Sequence, residues 1–141
     1  MVQYTTEPSI CYRLPLMGDV RPRIAVVDDD LSVRRALERL LRASGFDAEV
    51  FASGHEFFYS LEAKAPDCLI LDLHMPAMNG LEVQRRLRQT GVRVPVVVIT
   101  GHDEPQTRTQ CLDAGAAAYL CKPLDDEALI AAIQGAMAAA V

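Results

Sequence analysis

From residue 23 onward, short apolar runs alternate with segments of helical period. Residues 24–27 form an unbroken apolar run that ends in Asp28, Asp29 and Asp30. Val33, Ala36, Leu37, Leu40 and Leu41 then recur at i, i+3, i+4, i+7 and i+8, which predicts an amphipathic helix. Arg34, Arg35, Glu38, Arg39 and Arg42 fall mainly off its apolar stripe, and Gly45 stops it. Residues 48–51 read as a second strand, and Ser53 with Glu56 has the spacing of a capping box that opens a helix through Leu61. A third strand over 68–71 ends at Asp72, and Asn79 caps a helix carrying Leu81, Val83 and Leu87, closed by Gly91. A fourth strand over 96–99 ends at Thr100 and Gly101. The helix expected over 105–114 is weak, with two threonines and few apolar positions. The fifth strand, 117–121, ends at Lys122 and Pro123, and the last helix runs over about 126–139.

Strict alternation of five strands and five helices predicts an α/β protein. Strands that are apolar throughout suit a parallel sheet covered on both faces, and right-handed crossovers of this length give a doubly wound sandwich. Residues 1–22 follow another grammar, with Pro8, Pro15 and Pro22 and no sustained period. They are expected to form a flexible extension ahead of a single domain over 23–141, and Met17 stands where an alternative start would fall.

A length of 141 residues agrees with one domain, and a hydrophobic content of 50% suffices for a real core. The net charge of −5, without a basic run, argues against nucleic-acid binding by these residues. No apolar stretch approaches the roughly 20 residues that cross a bilayer, and the N-terminus lacks the pattern of a signal peptide. Cys11, Cys68, Cys111 and Cys121 make no metal-binding spacing. Cys68 and Cys121 lie in apolar runs, as buried structural cysteines do, which points to a reducing cytoplasm.

The polar residues that matter stand at strand ends. Asp28, Asp29, Asp72, Thr100 and Lys122 each follow an apolar strand, and an open parallel sheet gathers ligands outside the carboxyl ends of its strands. Three carboxylates brought together there repel unless a cation joins them, and an all-oxygen donor set suits Mg²⁺. Lys122 is one of two lysines in a chain that otherwise uses arginine, so a compact point charge at this place hints at a specific role. Carboxylates, a hard metal, a hydroxyl and a lysine together suit phosphoryl transfer, with an aspartate as the nucleophile.

The segments VVDDD (26–30), LILDLHMPAMNGLEV (69–83), PVVVITGH (95–102) and AYLCKP (118–123) resemble the receiver domain of bacterial two-component response regulators, in order and over about residues 23–139. MPAMNGLEVQRRLR (75–88) and ITGH (99–102) are similar to regulators whose output is a helix-turn-helix domain. The resemblance implies a (βα)5 flavodoxin-like fold with strand order 2-1-3-4-5. It implies Asp72 as phosphoacceptor, and Mg²⁺ held by Asp28, Asp29, Asp72 and the backbone carbonyl of His74. Thr100 would be the switch hydroxyl, Lys122 the lysine that pairs with the phosphoryl group, and Tyr119 the ring that moves with Thr100. The Lys122–Pro123 bond is implied to be cis. The implied partners are a sensor histidine kinase or a histidine phosphotransfer protein.

Asp30 is expected to cap the first helix, His55 to face solvent, and Tyr119 could simply pack. His74 and His102 flank the pocket without metal-ligand spacing, and are expected to alter the lifetime of an acyl phosphate by changing water access. The last helix has one clearly polar side chain after Ala128, Gln134. Its small outer face fits a homodimer through the fourth helix, fifth strand and fifth helix, or an absent downstream domain, or only the helix propensity of alanine. A haloacid-dehalogenase-type phosphatase is a rival, but such enzymes want an aspartate where His74 stands. A receiver surviving only as a scaffold is the other rival, although all five key positions are filled. Nothing resembling an output domain follows the fifth helix, so a stand-alone regulator and part of a longer one are both open.

Overall fold

The computed structural model describes residues 20–140. The strands are β1 (Arg23–Val27), β2 (Asp47–Phe51), β3 (Cys68–Asp72), β4 (Val96–Thr100) and β5 (Ala118–Cys121). The helices are α1 (Leu31–Ala43), α2 (Gly54–Leu61), α3 (Gly80–Thr90), α4 (Pro105–Asp113) and α5 (Asp126–Ala139). All strand pairs are parallel, in the order β2-β1-β3-β4-β5, which is the expected doubly wound order. The expected extension over 1–22 falls mostly on residues 1–19, outside the described part.

The central strands β3 and β4 are buried at every position because both sheet faces are covered. Leu69, Leu71 and Val98 pack toward Phe57, Val83 and Leu87, while Ile24, Ile70, Val97 and Ile99 pack toward Leu37, Leu41, Leu129 and Ile133. Successive residues of one strand thus feed two separate apolar layers, as the period of two requires. The expected stripe of α1 holds at Leu37 and Leu41, but Ala36 lies at the surface, beyond the edge of the layer. Cys68 is buried as expected, with its thiol pushed up to about 12 by burial. Cys121 is exposed instead, because β5 is an edge strand with no described strand paired on its outer side.

Local signals place the helix starts. Asp30 caps α1 by accepting from the Ser32 N–H at 2.8 Å, and the Ser32 contacts hold its carboxyl below the ordinary aspartate value. Ser53 caps α2, but Glu56 reaches back to the Ala52 N–H at 3.0 Å, so the reciprocal bond closes one residue earlier than the expected box. A full capping box forms at Asn79 and Glu82, with both bonds at 2.9 Å. Gly91, with φ of 79°, then ends α3 in the left-handed conformation that a side chain resists.

The β3–α3 loop contains one strained residue. Ala77 has φ of 67°, and the Met78 N–H donates to the Pro76 carbonyl at 2.7 Å across it, a three-residue turn that costs an alanine but not a glycine. Ala77→Gly is therefore expected to stabilise the protein by about 1 kcal/mol, read as a higher denaturant midpoint with an unchanged slope.

Candidate functional site

The strand order brings the expected residues to one end of the sheet. Asp28 and Asp29 follow β1, Asp72 closes the neighbouring β3, Thr100 closes β4, and Lys122 follows β5. Carboxylate oxygens of Asp28, Asp29 and Asp72 lie within 4.8 Å of one another, with Asp28 and Asp72 buried and Asp29 exposed. The Lys122 Nζ bridges the two buried members, 3.0 Å from Asp28 Oδ2 and 3.2 Å from Asp72 Oδ1. The second oxygen of Asp28 accepts from the Asp30 N–H at 2.9 Å, and its backbone carbonyl accepts from Arg34 at 2.8 Å.

This electrostatic balance is lopsided, with three acids around one base. Burial, followed by the charge of Asp28, raises the Asp72 carboxyl to about 6 in spite of Lys122. Burial works against the charge of Lys122, but its hydrogen bonds and charge contacts with Asp28 and Asp72 hold its ammonium above the ordinary value. A site with excess negative charge and only oxygen donors fits a hard divalent cation, which supplies the missing positive charge. The acidic cluster can therefore hold a metal ion.

The other expected residues are placed differently. Thr100 is fully buried, and its hydroxyl is occupied by its own loop. It donates to the His102 carbonyl at 3.1 Å and accepts from the His102 N–H at 3.0 Å. The Tyr119 hydroxyl is buried and has no hydrogen-bond partner among the described residues. Burial, with the charge of Asp103 in the β4–α4 loop, raises its pKa. Arg108 of α4 stacks over the Tyr119 ring, 5.1 Å from its centre. His74 and His102 are both exposed, with ring centres 6.1 Å apart, so the β3–α3 and β4–α4 loops meet at this pair. His55 is exposed on α2, as expected. The Lys122–Pro123 bond is cis.

Two contributors were not legible in the sequence pattern. Gly80 is one, because a Cβ there would stand 2.6 Å from the Asp72 carbonyl oxygen and 2.9 Å from the Leu73 Cα. Its N–H donates to the Leu73 carbonyl at 2.9 Å, so the start of α3 is pressed directly on the backbone that carries Asp72. A glycine directly after a helix cap was the available signal, since nothing about capping calls for one there. Arg108 is the other, and a single arginine on a polar helix offers no signal at all.

The sequence matches the family model described as the response regulator receiver domain over residues 24–134. The chain is 38% identical over 121 residues to the response regulator protein TodT of Pseudomonas putida, covering 86% of this chain and 53% of that one. It is 45% identical over 109 residues to the response regulator MprA of Mycobacterium avium, covering 77% of this chain and 48% of that one. The chain thus spans about half the length of these curated relatives. The crystal structure of a response regulator receiver protein from Burkholderia phymatum superposes with a TM-score of 0.74 at 48% identity, covering 84% of this chain and 96% of that one.

Proposed function

This chain belongs to the response regulator receiver family, and on that premise we propose that Asp72 is its phosphoacceptor, served by Lys122, Thr100 and an Mg²⁺ site. The single observation that carries the reading is the convergence of Asp28, Asp29, Asp72 and Lys122 at the carboxyl end of the sheet. Receiver domains act in two-component signalling and partner with histidine kinases. A sensor histidine kinase or a histidine phosphotransfer protein is therefore the donor.

In the transfer, an Asp72 carboxylate oxygen attacks the phosphorus of the phosphohistidine. The O–P bond forms as the P–N bond breaks, and the imidazole leaves with the electron pair. Lys122 carries its positive charge at the reacting carboxylate and offsets the charge that arrives. Mg²⁺, held by Asp28, Asp29, Asp72 and the His74 carbonyl, would neutralise phosphoryl oxygens when bound. Thr100 must exchange its hydrogen bonds with His102 for the new phosphoryl group. The β4–α4 loop is then free to shift over Tyr119, which reshapes the surface of α4, β5 and α5.

That surface is the proposed homodimer face. Ala128, Ala131 and Gly135 are exposed along α5 and would allow close approach of a second copy. Residues 23–141 make up the receiver unit and 1–22 its extension. The net charge of −5 supports an output without direct nucleic-acid contact from these residues. No described helix is long and apolar enough to cross a membrane, and the free buried thiols of Cys68 and Cys111 support a cytoplasmic setting.

The deciding experiment is reaction with acetyl phosphate and Mg²⁺, followed by intact mass. Wild type is expected to gain one phosphoryl group and Asp72→Asn none. Equal labelling of the two proteins would place the acceptor elsewhere. We further propose that the exposed His74 and His102 rings set the lifetime of the acyl phosphate by limiting water at the mouth of the site. His74→Ala and His102→Ala are expected to change the dephosphorylation rate several-fold, roughly 1 kcal/mol in barrier. Unchanged rates between pH 6 and 8 would remove that role.

A further inference from the structure

Helix α4 is loosely built. Its N-cap residue Glu104 makes no side-chain cap bond, and Cys111 is its one buried residue. Against it lies Gln84 of α3, only 3% exposed. Gln84 donates from Nε2 to the Cys111 carbonyl at 3.0 Å, and that carbonyl also accepts from the Ala116 N–H at 3.0 Å. The carbonyl is therefore satisfied without Gln84. The amide oxygen of Gln84 is buried and finds no donor among the described residues. Turning the amide over would only set this oxygen against the Cys111 carbonyl, so the mismatch belongs to the site. One shared hydrogen bond returns less than an unpaired buried acceptor costs, and the balance disfavours the docked position of α4.

We propose that Gln84 is a positioning residue that primes α4 to move. Resting on the reading of Asp72 as the phosphoacceptor, the inference is that the stranded amide oxygen destabilises the unphosphorylated packing of α3 on α4. A shift of the Cys111 end frees the Gln84 amide from its one hydrogen bond, and its oxygen can then turn toward the groove that Gln84 borders with Leu87, Arg88 and Val94. The phosphorylated state then inherits part of its accessibility from a defect in the resting one, and an apolar residue at this position locks α4 down.

The test compares the full chain with Gln84→Met, and with Gln84→Leu as a second apolar replacement of similar size. Amide hydrogen exchange of α4 is measured with and without beryllium fluoride and Mg²⁺, together with the affinity for beryllium fluoride, which imitates the phosphoryl group. In both variants the α4 amides are expected to exchange about tenfold more slowly without beryllium fluoride. By linkage, the affinity for beryllium fluoride is expected to fall by a similar factor. Faster α4 exchange in the variants would make the bond to Cys111 the dominant effect and overturn the proposal. Slower exchange with unchanged affinity would reduce Gln84 to a packing residue and overturn it too. A wild type whose α4 ignores beryllium fluoride would sink the switching reading itself. A responsive wild type with unresponsive variants' affinities would sink only the role of Gln84.

Discussion

Asp72→Asn is expected to be more stable than the wild-type protein at pH 7 by about 3 kcal/mol, with the advantage disappearing near pH 4. The wild-type carboxyl is raised from 3.8 to about 6 by burial and by Asp28. A folded-state pKa above the unfolded one means that the folded protein holds this proton more tightly. The contribution is fully present below 3.8 and is lost as pH rises through about 6. The asparagine, uncharged throughout, escapes the loss. Urea titrations of both proteins at pH 4 and pH 7 check this, and equal midpoints at pH 7 would show that Lys122 balances the site alone. Adding Mg²⁺ is expected to narrow the gap at pH 7, since a cation that binds only the folded wild type stabilises it by mass action.

The reverse effect is expected from Gly80→Ala, which should destabilise the protein by about 3 kcal/mol. The new methyl would meet backbone atoms, the Asp72 carbonyl oxygen at 2.6 Å and the Leu73 Cα at 2.9 Å, and backbone cannot rotate out of the way. Either α3 retreats or the end of β3 does, and both displace the Asp72 carboxylate from Lys122. Labelling by acetyl phosphate is expected to slow by at least about tenfold, as misplacement of a reacting group by an ångström allows. Denaturant titration and the labelling rate, measured on the same preparation, separate the two consequences. Wild-type values for both would mean that the α3 start is softer than the packing implies.

The two predictions concern the same carboxylate and differ in how visible their causes are in the chain. Asp28, Asp29, Asp72 and Lys122 were legible because each ends an apolar run, and a parallel sheet gathers the carboxyl ends of its strands on one side. The polar turn chemistry was equally legible at Asp30 and Asn79, where a side chain reaches its own helix start two or three residues away. Burial was harder to read at the margins. Cys121 and Ala36 sit in apolar patterns but face outward, because an edge strand and a helix overhang have no second layer to cover them.

The least legible features are contacts between elements that are separate in sequence. Thr100 was recognisable as a hydroxyl at a strand end, but its occupation by the His102 backbone depends on how the β4–α4 loop turns. The stacking of Arg108 on Tyr119 and the half-satisfied amide of Gln84 depend on where α4 lies against the sheet. Apolar periodicity and strand-end acids settle which elements exist, their order and the chemistry they carry, since these arise from burial and from bonds a few residues long. The resting state of the switch follows from long-range packing, in which a difference of one hydrogen bond between two positions of α4 leaves no trace in local pattern.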